Sequence, residues 1–345
     1  MNIKSLLLGS AAALAAVTGA QAADAIVAAE PEPMEYVRVC DAFGTGFFYI
    51  PGTETCLKIG GYVRFQTDVN RGNNLVGGNG RTSDWDSFTR AQLQFTAKSD
   101  TELGALTSVI ALRGQADNGS TTAARPEFVD AAYIELAGFR VGFQYNYFDD
   151  GLSGESDVLS SNATNMNSVR YTYDAGSFAA SISVDELEGV NRLALGETDN
   201  NFGVSGQLSG KLGGFTYALL GGYDADMEEG AVRGIVTAAI GPGTLGLAGV
   251  YATGRNYYYE ASEWAVAAEY ALKATDKLTL TPGAQYFGNY GAAGDDFGDN
   301  DAWQAGLTVD YKITENLTTK VSAQYQKIED GDDQVFGFVR LQRSF

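Results

Sequence analysis

Histidine does not occur anywhere in this chain of 345 residues. Its absence removes the most versatile general acid–base side chain and the commonest metal ligand. A Ser-His-Asp or Cys-His centre is excluded, as is any zinc site built on histidine. Proline is scarce, at 6 residues, and the only cysteines are Cys40 and Cys56. Basic residues are outnumbered, 23 Lys and Arg against 43 Asp and Glu, for a formal charge of −20. Nucleic acid is therefore not an expected partner, because phosphate binding needs clustered Lys and Arg. No apolar run reaches the roughly 18 residues that a membrane-crossing helix requires.

What is present points to export and to β-structure. Residues 1–22, MNIKSLLLGSAAALAAVTGAQA, place Lys4 before a short apolar stretch from Leu6 to Val17, then Ala20-Gln21-Ala22. This is the pattern of a cleaved signal peptide, and its apolar stretch is too short for a stop-transfer anchor. Cleavage after Ala22 removes Lys4 and no acid, moving the formal charge from −20 to −21. The two cysteines then fold in an oxidising compartment, so a Cys40–Cys56 bridge is expected. It would close a loop of about 15 residues, worth roughly 3 kcal/mol in the chain-entropy picture.

The remainder alternates. In 301–313, Trp303, Ala305, Leu307, Val309, Tyr311 and Ile313 fall on one side, and Gln304, Gly306, Thr308, Asp310 and Lys312 on the other. Successive strand side chains point to opposite faces, so the segment has one apolar and one polar face. The pattern recurs in 57–69, 89–98, 140–148, 167–174, 263–273 and 317–325; segments 102–116 and 126–137 read less cleanly. Sixteen strands are predicted, near 57–69, 85–98, 102–116, 126–137, 139–148, 167–174, 177–185, 201–212, 214–224, 229–240, 243–254, 260–273, 277–289, 301–313, 317–328 and 334–345.

Many of these exceed the 5–6 residues common in soluble proteins and suit a tilted membrane-spanning strand of about 9–11. Connections sort into a tight set (99–101, 138, 212–214, 241–243, 274–276, 314–316) and a longer acidic set (149–166, 186–200, 224–229, 291–301, 329–333). Short turns at one end and long loops at the other describe an all-β, antiparallel up-and-down transmembrane barrel. Tyr and Trp near strand ends suit aromatic girdles, and Phe345 ends a strand as in bacterial outer-membrane barrels. A secreted β-sandwich also alternates, but its strands are shorter and Greek-key connections do not sort this way. Sixteen strands leave an aqueous channel where eight leave room only for side chains. The domain reading is a signal peptide at 1–22, a periplasmic-side segment at 23–56 and the barrel at 57–345.

Residues 37–64, VRVCDAFGTGFFYIPGTETCLKIGGYVR, resemble the N-terminal signature of the alphaproteobacterial general porins of the Brucella and rhizobial type. PEFVDAAYIELAGFRVGFQYNYFDD at 126–150 is similar to that family's strands leading into its third loop, and FGFVRLQRSF to its closing strand. The resemblance implies an outer-membrane homotrimer passing small hydrophilic solutes and ions, set among outer-membrane lipid and lipopolysaccharide. It further implies a third loop that folds inward and narrows the channel. Arg343 departs from the wider pattern, which places an apolar or aromatic residue third from the end. Val63, Phe65, Leu93 and Phe95 are the outward residues expected at a subunit contact.

The longest connection, 149–166, carries Asp149, Asp150, Glu155 and Asp157 without a Lys or Arg. Arg64, Arg90 and Arg113 lie on polar faces of early strands, so a basic wall opposite an acidic loop is the predicted constriction. The simpler alternative pairs these arginines with lumen acids such as Asp68. With the acidic mouth, weak cation selectivity is expected. Other signals read as structure. GPGTLG at 241–246 matches a dinucleotide-loop spacing but sits between strands and is a hairpin turn. GDDFGDND is a solvated acidic loop, and NYYYE at 256–260 reads as outer aromatic girdle. No cofactor, metal ion or catalytic site is expected; known barrel hydrolases rely on histidine. The alternatives to a general porin are a substrate-selective (for example sugar) channel and a barrel adhesin or receptor.

Overall fold

The computed structural model describes residues 38–69, 85–117, 125–157, 165–189 and 200–345. The expected signal peptide lies outside the described residues. Sixteen long strands run in order: β1 (Cys56–Val69), β2 (Trp85–Thr101), β3 (Gly104–Asp117), β4 (Glu127–Leu136), β5 (Phe139–Tyr145), β6 (Asn165–Asp174), β7 (Phe178–Glu186) and β8 (Phe202–Leu212). They continue as β9 (Phe215–Asp224), β10 (Glu229–Ile240), β11 (Gly243–Ala252), β12 (Ser262–Lys273), β13 (Leu278–Tyr290), β14 (Ala302–Thr314), β15 (Leu317–Ile328) and β16 (Gln334–Ser344). Each pairs antiparallel with the next, and β16 returns to β1 from Gly337↔Val69 to Ser344↔Tyr62, closing the barrel. Phe345 extends the seam by exchanging backbone hydrogen bonds with Gly61 at 3.0 and 3.1 Å.

Polarity is inverted relative to a soluble domain. Val63, Phe65, Ile110, Val141, Ile182, Leu219, Val266 and Val339 are exposed on the outer face, whereas Gln66, Gln285, Gln304, Thr308, Ser322 and Gln324 are buried inside. Alternation enforces this, since a one-residue slip in register would turn every apolar side chain into the lumen. The apolar face of 301–313 therefore looks outward, at lipid. Outward aromatics form two belts. Tyr223, Tyr251, Trp264, Tyr286, Trp303 and Tyr325 lie near the long-loop end; Phe139, Tyr171, Tyr173, Phe178, Phe215 and Tyr311 lie near the turn end. Neighbours within a belt touch, as in Trp264–Tyr286 at 5.6 Å and Trp303–Tyr325 at 5.3 Å between ring centroids. Arg343 pairs in register with outward Val63 and is itself exposed, where its long stem can carry the charge to lipid head groups.

Strand bounds follow the alternation closely, with informative exceptions. Segment 102–116 reads poorly because apolar Val109 and Ala111 take lumen-facing positions, and 126–137 because the register slips between Ala111 and Leu112, where Ala131 and Val129 are the successive partners. Asp130 is the extra residue, a β-bulge that brings a carboxylate to the lumen. β5 stops at Tyr145 rather than 148, because the Asn146 side chain accepts the Phe148 N–H at 2.7 Å and starts a short 3-10 turn, Tyr147–Asp149. The connection 225–228 is a tight turn although it lies at the long-loop end. The 241–242 turn joins β10 and β11 as a hairpin.

Ahead of β1, the segment from Val39 makes a short 3-10 turn and a two-residue strand, Phe48–Tyr49, that pairs with Leu57 and Cys56. Cys40 and Cys56 form a disulfide across a Cα separation of 6.0 Å, both buried beside Phe47. The bridge pins this segment to the start of the first strand.

Candidate pore constriction

The connection from β5 to β6, the third long loop, enters the barrel and fastens to the far wall. From Asn146 to Asp157 its polar groups find partners on strands distant in sequence. Arg233 of β10 donates from Nη1 to the Phe148 carbonyl at 2.9 Å and from Nη2 to the Asp157 carboxylate at 3.1 Å. Asp157 also accepts the Leu152 N–H at 2.8 Å, which folds the loop on itself. Glu269 of β12 accepts the Gly154 N–H at 2.8 Å and the Ser153 hydroxyl at 2.5 Å. Thr308 of β14 takes the Glu155 N–H at 3.2 Å, and Gln304 donates to the Ser156 carbonyl at 2.6 Å.

Two glycines make room for this approach. A Cβ on Gly154 would lie 2.5 Å from Glu269 Oε2, and one on Gly283 of β13 would lie 2.6 Å from Ser156 Oγ.

A second loop, 253–261 between β11 and β12, also turns inward. Asn256 is fully buried and its Oδ1 accepts the N–H groups of Tyr258 and Tyr259 at 3.0 and 3.1 Å. The Tyr258 hydroxyl donates to Asp185 at 2.7 Å, and its ring meets Phe148 at 5.6 Å. Burial, with Asp185 alongside, raises the Tyr258 pKa, keeping the phenol a donor. Tyr257, Tyr258 and Tyr259 are thus inside, not on the outer girdle as their sequence suggested. Alternation says nothing about where a loop goes; the buried cap and the acceptors Asp185 and Asp224 decide it. Together the two loops fill the lumen against β9–β14 with a packed cluster that includes Phe148, Leu220, Ile235, Tyr258, Tyr259 and Phe287.

Among the described residues no loop packs over β16, β1 and β2, and that opposite wall is basic. Lys320 and Arg340 are register partners on β15 and β16, and Arg64 and Arg90 are register partners on β1 and β2. Arg64 donates to Gln342 at 2.9 Å and Arg90 to Gln115 at 2.8 Å. Arg340 donates to Gln66 at 2.6 Å. Neutral amides thus orient Arg64 and Arg90 without cancelling their charge, and among the described residues neither forms an ion pair. Aromatic rings support them: Tyr62 lies 4.8 Å from Arg64 and Phe88 5.1 Å from Arg90. Arg113 differs, pairing with the bulged Asp130 at 2.8 Å. Asp68 accepts from Gln66 at 2.7 Å rather than from either arginine.

The loop acids divide. Glu155 lies 3.3 Å from Lys320 and within the field of Arg64. Asp149 lies near Arg113, Asp130 and Asp150, and its carboxyl is pushed up to about 6, chiefly by burial and then by the Asp150 charge. Asp150 is exposed. Asp157 does not face the passage: its carboxylate is 1% exposed against an Arg233 side chain at 0%. Sequence reasoning passed over Arg340 and Lys320. Both sit on polar faces in the alternation, and only strand adjacency brings them beside Arg64.

The family described as Porin subfamily matches residues 24–339 of this chain. Outer membrane protein IIIA of Rhizobium leguminosarum bv. viciae is 53% identical over 353 residues, covering 98% of this chain and 93% of that protein. Porin Omp2a of Brucella suis biovar 1 is 38% identical over 390 residues, covering all of both. Among solved structures, the outer-membrane channel DcaP of Acinetobacter baumannii superposes with a TM-score of 0.63 at 14% identity, over 86% of this chain and 99% of that one. OmpT of Vibrio cholerae does so with a TM-score of 0.61 at 13% identity, over 86% and 99%. At these identities the solved structures speak to the fold alone.

Proposed function

This chain belongs to the Porin subfamily and is an outer-membrane channel, and on that premise we propose that its third loop and basic wall act as a weakly cation-selective filter. The observation that carries the reading is the course of the third loop, fastened across the lumen to Arg233, Glu269 and Lys320. The remaining passage runs between loop carboxylates (Asp149, Asp150, Glu155) and the guanidiniums of Arg64, Arg90, Arg340 and Arg113. Opposed rows of charge across a narrow aqueous gap set up a transverse field, which separates permeant ions by sign. Asp157 belongs to the loop's anchorage. The acidic balance of the chain, −20 overall, gathers cations at the mouth.

The solutes are small, hydrophilic and passively carried, and membership of a channel family supports a role without catalysis. The domain organisation we adopt is a cleaved leader at 1–22, a periplasmic-side segment at 23–56 and the barrel at 57–345. A homotrimer is the proposed assembly, with outward Val63, Phe65, Leu93 and Phe95 at subunit contacts; OmpT of Vibrio cholerae has been solved in a trimer form. Lipid and lipopolysaccharide would surround the trimer. A mass of one subunit, stable across mild detergents, would contradict it.

The selectivity reading is tested by reversal potentials across a KCl gradient in planar bilayers. The wild type should show a modest cation preference that weakens as salt shortens the Debye length from about 10 Å to 3 Å. Asp149→Asn, Asp150→Asn and Glu155→Gln together should reduce it. An unchanged potential in that triple variant rejects the loop as the filter.

A further inference from the structure

Beneath the third loop, the wall of β2–β6 holds a recess of about 370 Å³, lined among others by Arg113, Arg140, Arg170, Tyr133, Tyr147 and Asp150. That volume lies within the range of small-molecule sites. Arg140 and Arg170 are register partners on β5 and β6, so two guanidiniums stand side by side on the lumen face. Like charges directly opposite on paired strands destabilise a sheet unless something between them compensates.

Each is held rigidly and incompletely used. The Arg140 guanidinium lies 4.5 Å from the Tyr133 ring centre and donates from Nε and Nη2 to Glu135 at 2.9 and 2.8 Å. Arg170 lies 3.9 Å from the Tyr147 ring centre and donates from Nη2 to the Tyr145 carbonyl at 2.9 Å. Among the described residues, Nη1 of both arginines has no acceptor. Nearby, Gln144 Oε1, Ser168 Oγ and the Nε atoms of Arg113 and Arg170 are buried without a partner. Native folds satisfy such groups in the great majority of cases, and clusters of exceptions mark functional sites. Aromatic stacking fixes the planes of both guanidiniums, so an oxyanion meets preorganised donors.

We propose that this recess is a transit binding site for the carboxylate or phosphate group of a small permeating solute, taken by Nη1 of Arg140 and of Arg170. Asp150 on the rim, felt by Arg170, opposes a second negative charge. A singly charged oxyanion therefore fits better than a multiply charged one. The site takes from the preceding section only that the lumen is the solute path; it does not require the third loop to set ion preference.

The test uses the full-length protein in planar bilayers carrying ionic current in sodium chloride, with sodium acetate or sodium phosphate added at constant ionic strength. The wild type should show a saturable, voltage-dependent reduction of current. Arg140→Gln with Arg170→Gln should raise the half-blocking concentration by about tenfold or more, since two charge-assisted bonds are lost. The ionic current of that variant reports whether its barrel has assembled. Arg170→Lys, which keeps the charge and loses the fork, should raise the half-blocking concentration several-fold, and it carries the test if the double variant does not assemble. Block by either probe supports the site and assigns the class of oxyanion it takes. No saturable block by either, or equal block in the substituted proteins, overturns it. Chloride-gradient reversal potentials play no part in this readout, so failure here and failure of the loop filter are separable.

Discussion

The two halves of the lumen use charge in opposite ways. Against β9–β14 the inward loops cover the wall, and the cation there, Arg233, is fully buried and neutralised by Asp157. Along β16, β1 and β2 no loop covers the wall among the described residues. There Arg64 and Arg90 are oriented by Gln342 and Gln115, which hold them without removing their charge. A buried ion pair offers nothing to a permeating ion and serves to fix the loop. An amide-held guanidinium keeps its field in the water-filled gap. The same residue type is a fastener on one side and a filter element on the other, and the partner decides which.

The largest effect should come from breaking the covered half. Arg233→Ala leaves the buried Asp157 carboxylate without its counter-ion Arg233, which costs about 3–5 kcal/mol. The uncompensated carboxylate gains by moving out to water, and the loop that carries it should leave the wall. Urea unfolding should report the loss, and single-channel conductance should rise as the passage widens. Wild-type stability in this variant would show that the pair is not the anchor.

A milder way to loosen the same contact is Gly283→Ala. Its Cβ would meet Ser156 Oγ at 2.6 Å and Ser156 Cβ at 2.9 Å, so the loop must shift. Overpacking of this kind costs about 1–3 kcal/mol. The expected signature is greater current noise with a smaller stability loss than for Arg233→Ala. An unaltered noise spectrum would place the loop elsewhere.

The smallest effect sharpens the open half. Asp149 titrates near 6, raised by burial and by Asp150. It is charged at pH 7.5 and largely neutral at pH 5, so cation preference should decline on acidification with a midpoint near 6. Asp149→Asn should flatten that dependence. A profile identical to wild type would assign the titration to another group.

Strand positions were legible because a period of two survives in a barrel whose faces meet lipid and water. The exceptions are 102–116, where apolar Val109 and Ala111 face the lumen, and 126–137, where the Asp130 bulge resets the alternation midway through β4. The acidic third loop could be singled out from composition, but its fastening could not. The Asp157–Arg233 contact joins residues 76 apart, and Ser156–Gln324 joins residues 168 apart. The same holds for Tyr258, whose partner Asp185 is 73 residues away. Arg64 and Arg90 were found because polar-face arginines stand out among Gln and Thr. Arg340 and Lys320 were missed because barrel closure makes the last strands neighbours of the first.

The open wall governs ion preference and the covered wall does not. Reversal potential in one KCl gradient tests it with two variants measured side by side. One is Arg64→Gln with Arg90→Gln. The other is Arg233→Met with Asp157→Leu, which exchanges the buried pair for apolar residues, a change that buried pairs often tolerate. The first should shift toward greater cation preference and the second should keep the wild-type value. Equal shifts in both, or a shift in the second alone, would contradict it.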